Sequence, residues 1–363
     1  MNIYEHLQVN EIINCSGKMT PYGSSILEKD VAESMKQASA AYVKMDDLMD
    51  KAGEVIAEIC QGEAACVCAG ASAGIILSVA AIITKGDPYL VEKVPFVETN
   101  KKDIIISCGH LVHFGATIHQ MIQLGGGRVK EVGTVCKTVE YHYENAIDEN
   151  TAAILYVKSH HASQTGQLPL AEVVNIAHKH HLPVILDAAA EEDLKTYLSC
   201  GCDLVVYSGA KAIGGPTSGF VVGKKNLIQA CRKQYGGVAR PMKVGKENIA
   251  GLIKAIENYN TKSYDYQPKL DYMLQEFNKI NGINASLIKD SVRDIYRVKL
   301  TLDPIKTNMD AHELDQKLKN GYPVIFTRKY DVSNLNLVFD PRPMRDGDEI
   351  IVCKRVKEII EGI

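Results

Sequence analysis

Pro183-Val-Ile-Leu-Asp187-Ala-Ala-Ala190 and, a short helical segment later, Asp203-Leu-Val-Val-Tyr-Ser208-Gly-Ala-Lys211-Ala-Ile-Gly-Gly-Pro216 decide the fold. Both begin as short apolar runs, rich in β-branched residues and bounded by turn formers. Such runs suit strands of a parallel sheet covered on both faces, where the alternation of a half-exposed strand is absent. Each run ends in a polar group. Open α/β sheets bind ligands beyond the carboxyl ends of their strands, so Asp187 and Lys211 are expected to face one crevice.

An amine and a carboxylate brought to one crevice suit pyridoxal 5'-phosphate. The lysine condenses with the aldehyde, and the acid pairs with the pyridine nitrogen and keeps it protonated, so that the ring accepts electrons from a carbanion. Ser208 lies just before Lys211 and offers a hydroxyl to the phosphate. Taken singly, Asp187 also reads as a helix cap and Lys211 as a solvated turn lysine. Their pairing among small residues carries the cofactor reading.

Upstream, Ala64-Ala-Cys-Val-Cys68 runs through Ala69-Gly70-Ala71-Ser72-Ala73-Gly74 into an apolar helix. A strand leading through small residues to a helix start makes an anion site, because free backbone N–H groups and the positive dipole end meet there, and Ser72 adds its hydroxyl. The strand Asp103-Ile-Ile-Ile-Ser107 leads to His110, a candidate to lie over the pyridine ring, with His113 and His119 on the following helix. Ala152 to Val157 is another strand, ending in Lys158-Ser159-His160-His161; adjacent side chains on extended backbone point apart, so one histidine faces the crevice. Ala171 to His180 reads as an amphipathic helix returning to the Asp187 strand, a right-handed strand–helix–strand unit.

The rest of the composition narrows the class. Lysine and arginine number 41 against 44 acids in 363 residues, a formal charge of -3, which gives no electrostatic reason to expect nucleic acid. No apolar run approaches a membrane span and the start lacks the regions of a signal peptide, so a cytoplasmic protein is expected. The ten cysteines lack zinc-type spacing and read as reduced, buried thiols, with no metal site.

A chain of this length exceeds a single growing core. Residues 1–30 read as an N-terminal arm, 31–262 as a large α/β domain with a mostly parallel sheet and helices on both faces, and 263–363 as a small α+β domain. In the last of these, Arg328 and Arg342 can each present a planar fork to a carboxylate. Arg240, Lys243 and Lys246, on a glycine-containing segment before a helix, are candidates for a distal phosphate.

Across nearly its whole length the chain resembles the D-glucosaminate-6-phosphate ammonia-lyases, within the selenocysteine synthase-like group of fold-type I pyridoxal-phosphate enzymes. The motifs that carry the resemblance are Asn14-Cys-Ser-Gly-Lys-Met-Thr20, Ala71-Ser-Ala-Gly74, Tyr156-Val-Lys-Ser-His-His161, Asp187-Ala-Ala-Ala-Glu-Glu-Asp193, Tyr207-Ser-Gly-Ala-Lys211, Pro216-Thr-Ser-Gly219, Lys243-Val-Gly-Lys-Glu-Asn248 and Arg328-Lys-Tyr330. The resemblance implies a Schiff base on Lys211, pyridine pairing by Asp187, and Ala71, Ser72, His110, Ser159, Ala189 and Ser208 about the cofactor. It implies a phosphorylated amino sugar acid as substrate, met by His160, Arg328, Arg342, Arg240 and Lys246. It also implies Cα deprotonation with loss of the β-hydroxyl and then of ammonia, in a homo-oligomer of two or more copies. The selenocysteine synthases carry a further N-terminal region that engages tRNA, and this chain starts almost at the core motifs, so tRNA is not expected as a partner. Ala69 stands where close relatives are expected to carry a hydroxyl residue, and Gly214-Gly215 follows the lysine. Another pyridoxal-phosphate reaction on the scaffold, a selenocysteine synthase-like transfer or a carbon–sulfur elimination, and a cofactor-binding protein without turnover are the alternatives.

Overall fold

The computed structural model describes residues 2–159, 161–261, 265–290, 295–328, 333 and 335–362. In chain order the strands are β1 (Ile12–Asn14), β2 (Ala64–Cys68), β3 (Asp103–Ser107), β4 (Arg128–Val132), β5 (Thr151–Val157), β6 (Val184–Asp187), β7 (Leu204–Ser208), β8 (Gly219–Gly223), β9 (Ile283–Lys289), β10 (Tyr296–Leu302), β11 (Val324–Phe326) and β12 (Asn336–Phe339). The chain divides into two compact units, one formed by Leu27–Lys262 and the other by Met1–Ile26 with Ser263–Ile363.

The larger unit is built on a seven-stranded sheet in the order β2-β8-β7-β6-β5-β3-β4. Strands β7, β6, β5, β3 and β4 run parallel, and β8 is antiparallel to both of its neighbours. Alternate residues of each strand serve opposite faces. Ile105, Tyr156, Leu186, Val205, Tyr207 and Phe220 pack on one side with the helices Met45–Cys60, Leu170–Lys179 and Lys246–Thr261. Ile104, Leu155, Val157, Ile185, Val206 and Val221 pack on the other with Ala71–Thr84, Ile118–Leu124 and Lys225–Lys233. Covering both faces is what makes the central strands read as unbroken apolar runs. Each fully buried Ile or Leu contributes about 1.5–3 kcal/mol to this core.

Helix Ala71–Thr84 lies close on the sheet because Gly74 has no side chain; a β-carbon there would meet the Val221 side chain at 3.2 Å. That helix is buried along nearly its whole length, so it shows no amphipathic stripe.

The smaller unit has a three-stranded antiparallel sheet, β12-β10-β9, and a two-stranded parallel pair of β1 with β11. Its core gathers Ile13, Met273, Phe277, Leu300, Leu314, Ile325, Phe339 and Val352. The first 26 residues therefore belong to this unit rather than standing apart as an arm. Ile13 lies opposite Ile325, and the segment continues as a strand would: the Cys15 amide donates to the Phe326 carbonyl at 2.8 Å, and the Asp340 amide donates to the Cys15 carbonyl at 2.8 Å. Short strands that depend on a distant partner carry little signal of their own, so local pattern offers a short strand at Ile12 and Ile13 but not its place in this unit.

Candidate active site

Asp187 closes β6, and Ser208 closes the adjacent parallel strand β7. Past Asp187 the chain turns, and the Ala189 amide donates to Asp187 Oδ1 at 3.0 Å. The Ser208 amide donates to the Ala189 carbonyl at 3.3 Å, which ties the two strand ends together. Beyond Ser208 the backbone folds on itself, with the Gly209 amide on the Ser218 carbonyl at 2.9 Å and the Gly215 amide on the Gly209 carbonyl at 2.7 Å. Half-buried Lys211 sits in that loop.

Asp187 is 5% exposed. Burial pushes its carboxyl above the usual range, the Ala189 N–H and the Lys211 charge draw it back, and Glu191 pushes it up again. Lys211 thus lies within electrostatic reach of Asp187, in the loop that leaves the same carboxyl edge of the sheet. A buried acid keeps its charge only when such a partner compensates for the water it has lost.

The helix Ala71–Thr84 begins beside the same edge. Its N-cap is Gly70, which has no side chain to satisfy the first amides, and the first intrahelical bond runs from the Gly74 amide to the Gly70 carbonyl at 2.9 Å. The amides of Ala71, Ser72 and Ala73 precede it and are available to an anion. Gly219, opening β8, allows the close approach; a β-carbon there would stand 2.7 Å from the Gly70 carbonyl carbon and 3.0 Å from the Ala71 nitrogen. A buried acid within electrostatic reach of a lysine, beside uncapped helix amides, is a donor set that suits a phosphorylated aldehyde with a basic ring nitrogen.

His110 ends the short turn Cys108–His110 after β3. The sequence offers its ring as a candidate to lie over a cofactor; the imidazole is wholly buried and stands edge-on to Tyr156, with centroids 4.3 Å apart. The Val157 amide donates to its Nδ1 at 3.5 Å, so the proton sits on Nε2, which has no partner among the described residues. Burial, with a smaller contribution from Lys158, pushes its pKa down to about 4, so the ring is neutral at physiological pH. Of the histidines expected on the next helix, His119 falls within Ile118–Leu124, whereas His113 lies before it, bridged to Thr117.

The half-buried Ser159 hydroxyl accepts the His161 amide at 3.2 Å. His160 lies outside the described residues. Lys246 Nζ donates to the Ala38 carbonyl and to Glu247, both at 2.5 Å, while Arg240 and Lys243 are exposed. Within the smaller unit, the edge of Arg342 offered to a substrate carboxylate is taken by Asp340: Nε donates at 2.9 Å and Nη2 at 2.7 Å. Arg297 also donates to Asp340, at 3.0 Å, and its Nη2 reaches Asp290 at 2.9 Å. Arg328 Nη1 donates to the Ser16 carbonyl at 3.4 Å.

Sequence reasoning passed over two supports of this site. Glu191 is 7% exposed and accepts the Tyr197 hydroxyl at 3.0 Å. It was in view as one of three consecutive acids, but charge alone does not say which turns inward. Ser107, Thr138 and Gln167 form a buried polar knot at the end of β3, with Ser107 Oγ 2.8 Å from Thr138 Oγ1 and also donating to Gln167. Its members are scattered along the chain and share no spacing.

The sheet and its flanking helices define a fold-type I pyridoxal-phosphate enzyme fold; serine palmitoyltransferase from Sphingomonas wittichii shares it at 16% identity, with a TM-score of 0.59 over 97% of this chain and 88% of that one. Residues 12–311 match the family model described as SelA: L-seryl-tRNA selenium transferase, and the chain belongs to that family. It is 38% identical to a D-glucosaminate-6-phosphate ammonia lyase of Salmonella typhimurium, covering 99% of this chain and 98% of that one. A solved D-glucosaminate-6-phosphate ammonia-lyase superposes with a TM-score of 0.95, at 38% identity, over 100% of this chain and 99% of its own. A Streptomyces 5'-C-glycyluridine monooxygenase-decarboxylase is also 38% identical, over 98% of this chain and 92% of that one. Among the described residues no helix is long and apolar enough to cross a membrane.

Proposed function

We propose that this chain is a pyridoxal-phosphate-dependent ammonia-lyase converting D-glucosaminate 6-phosphate to 2-keto-3-deoxy-6-phosphogluconate and ammonia. The observation that carries the proposal is the Asp187–Lys211 pair at the carboxyl edge of the sheet, in a chain similar over its whole length to ammonia-lyases. When bound, the cofactor supplies a ring that accepts the charge left on Cα.

With the cofactor bound, Lys211 Nζ would hold its aldehyde carbon, and as a free amine would take the Cα proton. Asp187 would keep a proton on the ring nitrogen. The amides of Ala71, Ser72 and Ala73, with the hydroxyls of Ser72 and Ser208, hold the cofactor phosphate; Ala189 and Ser159 shape the strand ends around it. The β-hydroxyl leaves as water and a second water replaces the nitrogen, so the net loss is one ammonia. Arg328 is kept for the substrate carboxylate, and Arg342 is set aside because Asp340 engages its fork. Arg240 and Lys243 are favoured over Lys246 for the distal phosphate, since Lys246 is already bonded. The protein works as a homo-oligomer in the cytoplasm.

The test is incubation of the purified protein with D-glucosaminate 6-phosphate, assaying keto acid and ammonia together. The equal identity to the Streptomyces protein makes 5'-C-glycyluridine the second substrate to offer. Turnover of that compound in place of the sugar acid would overturn the proposal.

A further inference from the structure

Between Ala188 and Lys195 the loop that follows β6 is held by three tyrosine hydroxyls from elsewhere in the fold. Tyr197 donates to the Glu191 carboxylate at 3.0 Å, Tyr259 to the Glu192 carbonyl at 2.9 Å, and Tyr207 to the Asp193 carbonyl at 2.8 Å. The Glu191 amide also donates to the Ala188 carbonyl at 3.0 Å. The loop is thereby fixed with one of its acids turned inward: Glu191 is 7% exposed, whereas Glu192 and Asp193 face solvent.

We infer that Glu191, oriented by Tyr197, is a positioning residue that keeps a proton between Asp187 and the ring nitrogen of the bound cofactor. The inference rests on the proposed placement of the ring nitrogen against Asp187. Two buried carboxylates in one turn resist ionising together, so a proton introduced near them is held more tightly than beside either alone. Donation from Tyr197 favours the charged form of Glu191, and burial followed by the Glu191 charge raises the Tyr197 hydroxyl so that it stays a donor. The demand for a proton then falls on the Asp187 side. The Glu191 charge acts there upward, against the downward pull of Lys211 from the loop after β7. Asp193, on the same loop, acts on the Tyr197 hydroxyl, and past β5 the Lys158 amide donates to the Asp187 carbonyl at 2.9 Å.

The experiment uses cofactor-loaded wild type, Glu191→Gln and Tyr197→Phe, with the cofactor's absorption followed through a pH titration. Removing the Glu191 charge is expected to move the absorption midpoint down by about one pH unit, the scale of a close buried charge. Tyr197→Phe is expected to move it the same way by less. A wild type that titrates, with Glu191→Gln at the same midpoint, overturns the Glu191 role alone. A wild type without cofactor absorption overturns the underlying function and this inference with it. Both variants keep the parent's shape, and an unchanged thermal midpoint in the loaded protein separates the electrostatic effect from loss of packing.

Discussion

Gly219 and Gly70 approach so closely that a β-carbon on the first would stand 2.7 Å from the carbonyl carbon of the second. The antiparallel strand β8 thereby sits against the start of the helix Ala71–Thr84, whose first amides are the cradle proposed for the cofactor phosphate. Gly219→Ala forces that loop to move, an overpacking cost of about 1–3 kcal/mol. Cofactor affinity, measured by equilibrium fluorescence quenching, is expected to fall about tenfold or more. Unchanged affinity would remove the cradle from the phosphate site.

Lys211 and Asp187 are expected to fail in different ways. Lys211→Ala removes both the point of attachment and the base, so turnover drops by about 10²–10⁴-fold or more, and borohydride no longer fixes cofactor on the peptide that carries residue 211. Asp187→Asn retains attachment but lowers kcat, because an amide cannot hold the ring-nitrogen proton. Borohydride labelling of an intact Lys211→Ala protein to the wild-type extent would place the attachment elsewhere.

His110 gives the acid limb of stability a specific contributor. Its folded pKa, about 4, lies below the ordinary histidine value of 6.5, so the unfolded chain binds the proton more readily. Stability is therefore full above about 6.5 and declines as pH falls toward about 4, by about 3 kcal/mol from this residue. His110→Asn, which has no proton to gain, is expected to flatten that part of the curve in denaturant titrations. Parallel curves for the two proteins would refute the assignment.

Arg342 is bound to Asp340, and Arg328 donates to the Ser16 carbonyl. Asp340 is wholly buried and, despite that burial, the charges and hydrogen bonds of Arg342 and Arg297 hold its carboxyl down at about 2. Arg342→Ala leaves that carboxylate with less compensation and is expected to cost about 3 kcal/mol of stability, read by urea unfolding. Arg328→Lys is expected to raise KM more than it lowers kcat, since it weakens ground-state and transition-state binding together.

Arg240→Ala tests the distal phosphate. KM for the phosphorylated sugar acid is expected to rise, with little change for the unphosphorylated one. Equal turnover of both compounds by the parent protein would remove the phosphate contact altogether.

The central sheet was legible because burial on both faces writes itself into composition: Val184 to Leu186 and Leu204 to Tyr207 are apolar without interruption, and the polar residues at their ends mark the crevice edge. The helix at Ala71 was legible for a related reason, small residues followed by a wholly apolar run. What stayed hidden depends on contacts between distant residues. Nothing local to Ile12–Asn14 points to Val324–Phe326, and nothing in Asp340-Pro-Arg342 says that the acid holds the arginine. His110 reads from the sequence as a ring that could lie over a cofactor or sit in the core, and its edge-on packing against Tyr156, from a neighbouring strand, has no local signal.

The pairing of β1 with β11 splits the smaller unit across the ends of the chain. During synthesis the segment Leu27–Lys262 leaves the ribosome with its own core complete, while Ile12–Asn14 waits for a partner more than three hundred positions later. A fragment expressed from residue 263 onward would lack Ile13 and Cys15 from its interior and would expose the flank of β11. Residues 1–26 must be joined back to that fragment, by fusion or as an added peptide, before it closes.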